Sequence, residues 1–121
     1  DNSVFTIQYS PDSKHLLSGG RDAHLRVRDI ANEFQEITAQ PAHWYTINHI
    51  AFHPNGNLFA TASRDKTIKI WEVSSWQLLK VIDMNRNGGH VNSVNHLYWS
   101  DYEDCLISCS DDRSIILWEI Q

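Results

Sequence analysis

Thr-Ala-Ser-Arg-Asp-Lys-Thr-Ile-Lys-Ile-Trp-Glu, residues 61–72, is the stretch whose reading decides the fold. It predicts the end of one strand, a tight polar turn at Arg64-Asp65, and a second strand in which Thr67, Ile68, Lys69, Ile70 and Trp71 alternate. The same text returns at 108–119 as Ser-Cys-Ser-Asp-Asp-Arg-Ser-Ile-Ile-Leu-Trp-Glu. A worn copy stands at 18–29, Ser-Gly-Gly-Arg-Asp-Ala-His-Leu-Arg-Val-Arg-Asp. A fixed period outranks local signals, so the repeat governs the rest of the reading.

The register between copies is tight. Tyr9 to Asp22, Phe52 to Asp65 and Trp99 to Asp112 are each 13 positions apart. Asp22 to Arg28, Asp65 to Trp71 and Asp112 to Trp118 are each 6 apart, and His43 to Trp71 and His90 to Trp118 are each 28 apart. The period is 43 and then 47, and the invariant intervals confine the extra residues to the span between Trp71 and His90. Asn85-Arg86-Asn87-Gly88-Gly89 is the expected site, as a longer surface loop.

Working outward, the first copy predicts strands at 4–9, 15–19 and 25–30. A looser fourth lies at 34–38, broken by Gln40-Pro41-Ala42. The second predicts strands at 47–52, 58–63, 66–73 and 77–83, and the third at 94–99, 105–110 and 114–120. No segment carries a long 3.6-residue period, so the chain is all-β. Four short strands per ~43 residues, the third ending in a Trp-acidic pair, is the pattern of a propeller blade.

The bulk properties agree with a small globular fold. The chain has 121 residues, 41% hydrophobic and 21% charged. A net charge of -5 gives no electrostatic reason to expect nucleic acid or an acidic membrane surface. No apolar run approaches the ~20 residues of a spanning helix, and no signal-peptide pattern is present. Cys105 and Cys109 fall in one predicted strand, about 13 Å apart at ~3.3 Å per residue, too far to bridge. They read as small core residues and favour a reducing, intracellular and cytoplasmic setting.

At these residues the chain resembles the WD40 repeat family, over essentially its whole length. The second copy is nearly a consensus, with Trp71-Glu72 in the place of Trp-Asp. The third follows with Gly89-His90 and Trp118-Glu119. The first departs, with Arg28-Asp29 and no Trp. The resemblance implies a partial β-propeller of three blades of up to four antiparallel strands, at about 1–40, 43–83 and 90–121, in an incomplete ring. The last blade lacks its outer strand. The expectation is the C-terminal part of a longer propeller, or a piece that completes a ring by self-association.

The resemblance also implies a buried hydrogen-bonded tetrad in each blade: His43, Thr61, Asp65 and Trp71 in the second, and His90, Ser108, Asp112 and Trp118 in the third. Ser18 and Asp22 remain in the first. The chemistry is consistent with this. Trp only donates, a carboxylate only accepts, and hydroxyl and imidazole do both, so a chain from indole to carboxylate is satisfiable from end to end. It would tie three strands and the incoming loop together. Ser108, His90 and Asp112 invite comparison with a catalytic triad, but the hydroxyl sits mid-strand and recurs as Thr61 at the same spacing, with no nucleophile elbow. His49 and His53, about 13 Å apart on a strand, cannot share an ion, and His15, His24 and His96 have no partner at ligand spacing. No metal ligand set, phosphate loop or cofactor-binding residue stands out.

By position, the family's contact residues fall on Ser3, Phe5 and Arg21, on Thr46, Asn48 and Arg64, and on Ser93, Asn95 and Asp111. Trp44 and Tyr45 add an aromatic pair after His43, and Trp76 is expected to pack on an outer strand. The implied function is a non-catalytic scaffold that binds other proteins or peptides. The alternatives are the propeller part of a multidomain signalling enzyme with a kinase or ATPase upstream, or a propeller enzyme whose site lies in other blades.

Overall fold

The computed structural model describes residues 3–120. Within them, strands form three antiparallel sheets. The first runs β1 (Val4–Tyr9), β2 (His15–Gly20), β3 (His24–Asp29) and β4 (Gln35–Pro41) in chain order. The second runs β5 (Ile47–Phe52), β6 (Leu58–Ser63), β7 (Ile68–Glu72) and β8 (Leu78–Ile82). The third has β9 (Val94–Trp99), β10 (Cys105–Ser110) and β11 (Ile115–Glu119). The inner strands β1, β5 and β9 are neighbours across the sheets. The sheets stack as consecutive propeller blades and do not close a ring.

The recurring aspartate makes the turns. Asp65 Oδ1 accepts from the Thr67 amide at 2.9 Å, Asp112 Oδ1 from Ser114 at 2.9 Å, and Asp22 Oδ1 from His24 at 3.1 Å. The residue between is left-handed each time, with φ of 64° at Ala23, 77° at Lys66 and 71° at Arg113. A short carboxylate that bonds the backbone two residues on offsets the cost of that conformation. The first blade is drawn tighter than the others: a Cβ on Gly20 would stand 2.1 Å from the Ser3 carbonyl oxygen, whereas Ser63 and Ser110 occupy that position in the later blades.

The core lies between sheets. Leu17, Leu25 and Val27 of the first blade meet Ile47, Ile50, Phe59 and Trp71 of the second. The opposite face of the second blade, Ala51, Ala60, Ala62, Ile68 and Ile70, meets Val94, Leu97, Trp99 and Leu106 of the third. Blade faces of alternating residues are thereby buried on both sides only in the middle blade. The outward face of the third blade leaves Tyr98, Ile115 and Leu117 exposed, and β1 leaves Ile7 and Tyr9 exposed.

The structure corrects four sequence expectations. Gln40 and Pro41 continue β4 and do not break it, because β4 is an outer edge strand and an edge tolerates proline. The glycine- and asparagine-rich insertion is not an open loop: 84–87 form a single helical turn, α1 (Met84–Asn87). Asp83 caps it by accepting from the Arg86 amide at 2.8 Å, and Gly88 at φ 68° ends it. Trp76 packs on Phe59 and His15, with its carbonyl accepting from Gln40 Nε2 at 2.9 Å, so it joins the first and second blades. Cys105 and Cys109 are half-buried, free thiols on the face of β10 opposite Leu106 and Ser108, outside the core.

Candidate functional site

The second blade brings its four polar residues into one chain. Trp71, on β7, donates its indole N–H to Thr61 Oγ1, on β6, at 3.0 Å. Thr61 Oγ1 lies 2.7 Å from His43 Nε2, and His43 Nδ1 lies 2.8 Å from Asp65 Oδ2. Because the Asp65 carboxylate can only accept, Nδ1 carries the imidazole proton toward it, and Nε2 is left to accept the proton of the Thr61 hydroxyl, which itself accepts from the indole. Thr61 is fully buried and Trp71 3% exposed. The third blade repeats the chain: Trp118 to Ser108 at 3.0 Å, Ser108 to His90 at 2.8 Å and His90 to Asp112 at 2.8 Å. The chain ties two strands, a turn and the loop before the inner strand; the expectation of three strands was too large.

The sequence reading missed a fifth member. Thr67 Oγ1 donates to Asp65 Oδ1 at 2.6 Å and lies 3.1 Å from His43 Nδ1, and Ser114 bonds Asp112 and His90 in the same way. The signal was the hydroxyl two residues after each turn aspartate. In the first blade Asp22 instead takes Arg26 at 2.6 Å, while Arg28, in the place of Trp, bonds the Phe34 carbonyl and lies 3.6 Å from Glu36.

Burial and bonding set the charges. Burial is the largest influence on Asp65 and pushes its carboxyl up, but the bonds and charge of His43 with the bonds from Thr67 outweigh it and hold it well below the usual range. The Ser114 hydroxyl leads the lowering of Asp112. Burial lowers His43 against the opposing pull of Asp65. These hydroxyls are spent, buried and oriented away from solvent, an arrangement that fastens a blade and offers no nucleophile.

Two further histidine contacts also escaped the sequence reading. His49 stacks on His96 with ring centroids 3.9 Å apart, and its Nδ1 accepts from the Leu97 amide at 3.0 Å. Burial pulls His49 down to about 4, with a smaller push from His96. His53 Nδ1 accepts from the Asn55 amide at 3.0 Å and its Nε2 lies 2.9 Å from Asp104 of the third blade. Both are links between blades, the first made by histidines at matching positions of adjacent inner strands and the second by residues with no counterpart in the other blades.

Acid should therefore loosen the fold. His49, His43 and Asp65 all have folded values below their unfolded ones, so the unfolded chain binds more protons and stability falls with falling pH. The histidine part is full above about 6.5 and is lost toward about 4 for His49; the Asp65 part is lost below 3.8. Urea unfolding at pH 7.5 and 4.5 should differ by on the order of 1 kcal/mol after discounting for solvent screening. His49→Gln should flatten the dependence. A midpoint that rises toward pH 4.5 would contradict this assignment.

The candidate contact residues lie on the rim formed by the turns and incoming loops. The turn amide bonds that loop in each blade: Arg21 to the Ser3 carbonyl at 2.9 Å, Arg64 to Thr46 at 3.0 Å and Asp111 to Ser93 at 3.2 Å. Trp44 is 86% exposed and Tyr45 62%. Arg64 is exposed, and Arg21 stands 5.8 Å over the ring of the half-exposed Phe5. Asn95 bonds exposed Asp111 at 2.7 Å. Three candidates are drawn inward. Thr46 is 8% exposed, and Asn48 spends its amide on Ser93 Oγ and the Val94 carbonyl, both at 2.9 Å. Asn48 and Ser93 join blades, because the short Asn48 amide reaches the neighbouring sheet before it reaches solvent, while Thr46 is buried within its own blade.

Comparison with known proteins places these features. The model of the family described as WD domain, G-beta repeat matches residues 1–29, 34–72 and 77–119. The target of rapamycin complex subunit wat1 of Schizosaccharomyces pombe is 30% identical over 99% of this chain and 36% of its own. The protein HIRA of Dictyostelium discoideum is 29% identical over 97% of this chain and 12% of its own. The DDB1- and CUL4-associated factor 11 homolog of Caenorhabditis briggsae is 28% identical over 98% and 22%. The chain thus spans well under half of each of these relatives. Among solved structures, the RRP9 WD40 repeats superpose with a TM-score of 0.88 at 24% identity over 99% of this chain and 36% of that one, which shows the shared fold.

Proposed function

This chain belongs to the WD40 repeat family, and from that footing we propose that it is a non-catalytic scaffold for protein–protein contacts, binding through the rim that carries Phe5, Arg21, Trp44, Tyr45 and Arg64. One observation carries the reading. The residues able to do chemistry, Thr61, Ser108 and their histidines, are buried and fully bonded, while large aromatic and guanidinium groups stand in solvent on one rim. Trp, Tyr and Arg are the types that most often supply interface energy. Two of the relatives are named as a complex subunit and an associated factor, which supports the same role here.

The blades at about 1–40, 43–83 and 90–121 are read as one part of a larger ring. Exposed Tyr98, Ile115 and Leu117 on one end face, and Ile7 and Tyr9 on the other, suit cover by further repeats. We place the protein inside the cell, in keeping with its two free thiols.

Affinity capture tests the rim. Partners recovered with the unaltered chain and identified by mass spectrometry should fall at least about tenfold with Arg21→Glu and Arg64→Glu combined, in the range expected for losing hot-spot residues. Trp44→Ala should act in the same direction. Unchanged recovery with a native melting profile would remove this rim as the binding face.

A further inference from the structure

The four-residue lengthening of the second repeat places α1 between β8 and β9, where the corresponding connection between β4 and β5 has no helical turn. Residues 83–91 rise beside the β6–β7 turn and enclose a groove of about 450 Å³ lined by Asp65, Lys66, Thr67, Met84, His90 and Val91 among others. That is the size at which an extended side chain is held in a site. Met84 and Val91 are about half exposed and flank it as an apolar pair. The wall is stiff: Asn87 Oδ1 accepts from the Asp83 amide at 3.2 Å, and the Gly88 and Gly89 amides return to Met84 and Asp83 at 3.0 and 3.1 Å. A Cβ on Gly89 would stand 2.9 Å from the Asp83 backbone, so the loop closes only on glycine.

Charge selects the occupant. The chain is acidic overall, at -5, yet this stretch of rim presents Arg64, Lys66 and Arg86 to solvent. The carboxylates of the lining are engaged. Asp65 is 3% exposed and bonded to His43 and Thr67, and Asp83 caps α1 while lying 3.6 Å from Arg86. Lys66 is the only lysine or arginine in the lining. Asp111, in the next blade, is bonded to Asn95.

We propose that this groove binds an acidic peptide segment of a partner protein, with one apolar side chain seated between Met84 and Val91 and a carboxylate on Lys66. This rests on the scaffold reading and adds a second, distinct contact to it. Acidic partners would be kept off most of this acidic molecule and admitted here.

The test uses fluorescein-labelled eight-residue peptides carrying three glutamates and one leucine, with lysine-substituted counterparts, followed by anisotropy on the whole chain. Binding of the acidic set should be at least about tenfold tighter than of the basic set, and should weaken severalfold between ~0.05 and ~0.5 M salt. Lys66→Glu and Met84→Asp should each reduce it at least about tenfold, with native near-ultraviolet spectra showing that both variants fold. Equal binding by either folded variant, no preference for acid, or no binding at millimolar peptide would overturn the proposal. So would sedimentation showing the groove filled by a second copy. A captured partner lost with Arg21→Glu and Arg64→Glu but indifferent to Lys66→Glu and Met84→Asp would sink the groove and leave the scaffold reading standing.

Discussion

Trp71→Ala is expected to cost about 4 kcal/mol of stability, within the range for deleting a buried aromatic side chain. Trp71 is 3% exposed, stacks on Phe59 with interplanar angle 5°, and seals the contact between the first and second blades. Its loss opens a cavity and leaves the Thr61 hydroxyl one donor short. Small domains hold about 5–15 kcal/mol in total, so this one change removes a large fraction. Trp118→Ala makes the comparison. Trp118 donates the same bond to Ser108 but is only half-buried, so about 2 kcal/mol is expected from the smaller area removed from water. Urea unfolding of both variants measures the difference. Equal costs would mean that burial between blades is not what Trp71 contributes.

How much of this was legible in the sequence follows from what a repeat encodes. Spacing fixes relations within one blade, and the intervals from Asp65 to Trp71 and from His43 to Trp71 carried the strands and the order of the chain. Relations between blades carry no such signal. His53 reaches Asp104 across 51 positions, and the matching residues of the other blades are Ser10 and Ser100. His49 and His96 do occupy matching positions, but only the stacking of adjacent inner strands brings them together. Trp76 was misassigned for the same reason: its partners Phe59, His15 and Gln40 lie in two blades. Among the contact candidates, Trp44 and Arg64 were readable as exposed loop residues, whereas the burial of Thr46 and the joint that Asn48 makes with Ser93 between blades were not. The helical turn of α1 was hidden because four residues are too few for a period; its signs were the capping Asp83 and the terminal Gly88.

Asp65→Ala should cost about 3 kcal/mol, the range for stranding several buried donors at once. The carboxylate serves the His43 ring, the Thr67 hydroxyl and the amides of Trp44 and Thr67. Asp65→Asn should recover only part of the loss. An amide nitrogen facing His43 Nδ1–H forces either a lost bond or a switch of tautomer, and the switched ring would present Nε2–H to the Thr61 hydroxyl, which already accepts from Trp71. The defect would thus travel the length of the chain. Measured by urea unfolding at pH 7.5, the order of stability should be wild type, then Asp65→Asn, then Asp65→Ala. An asparagine variant as stable as wild type would show that the proton assignment is wrong.

The central claim is that the hydroxyl–imidazole–carboxylate chain fastens the blade as one unit. A double-mutant cycle of His43→Ala and Asp65→Ala, followed by urea unfolding, tests it most directly. The two residues share one short buried bond, so the losses should be strongly non-additive, with a coupling of at least about 1.5 kcal/mol. Additivity to within about 0.5 kcal/mol would contradict the claim.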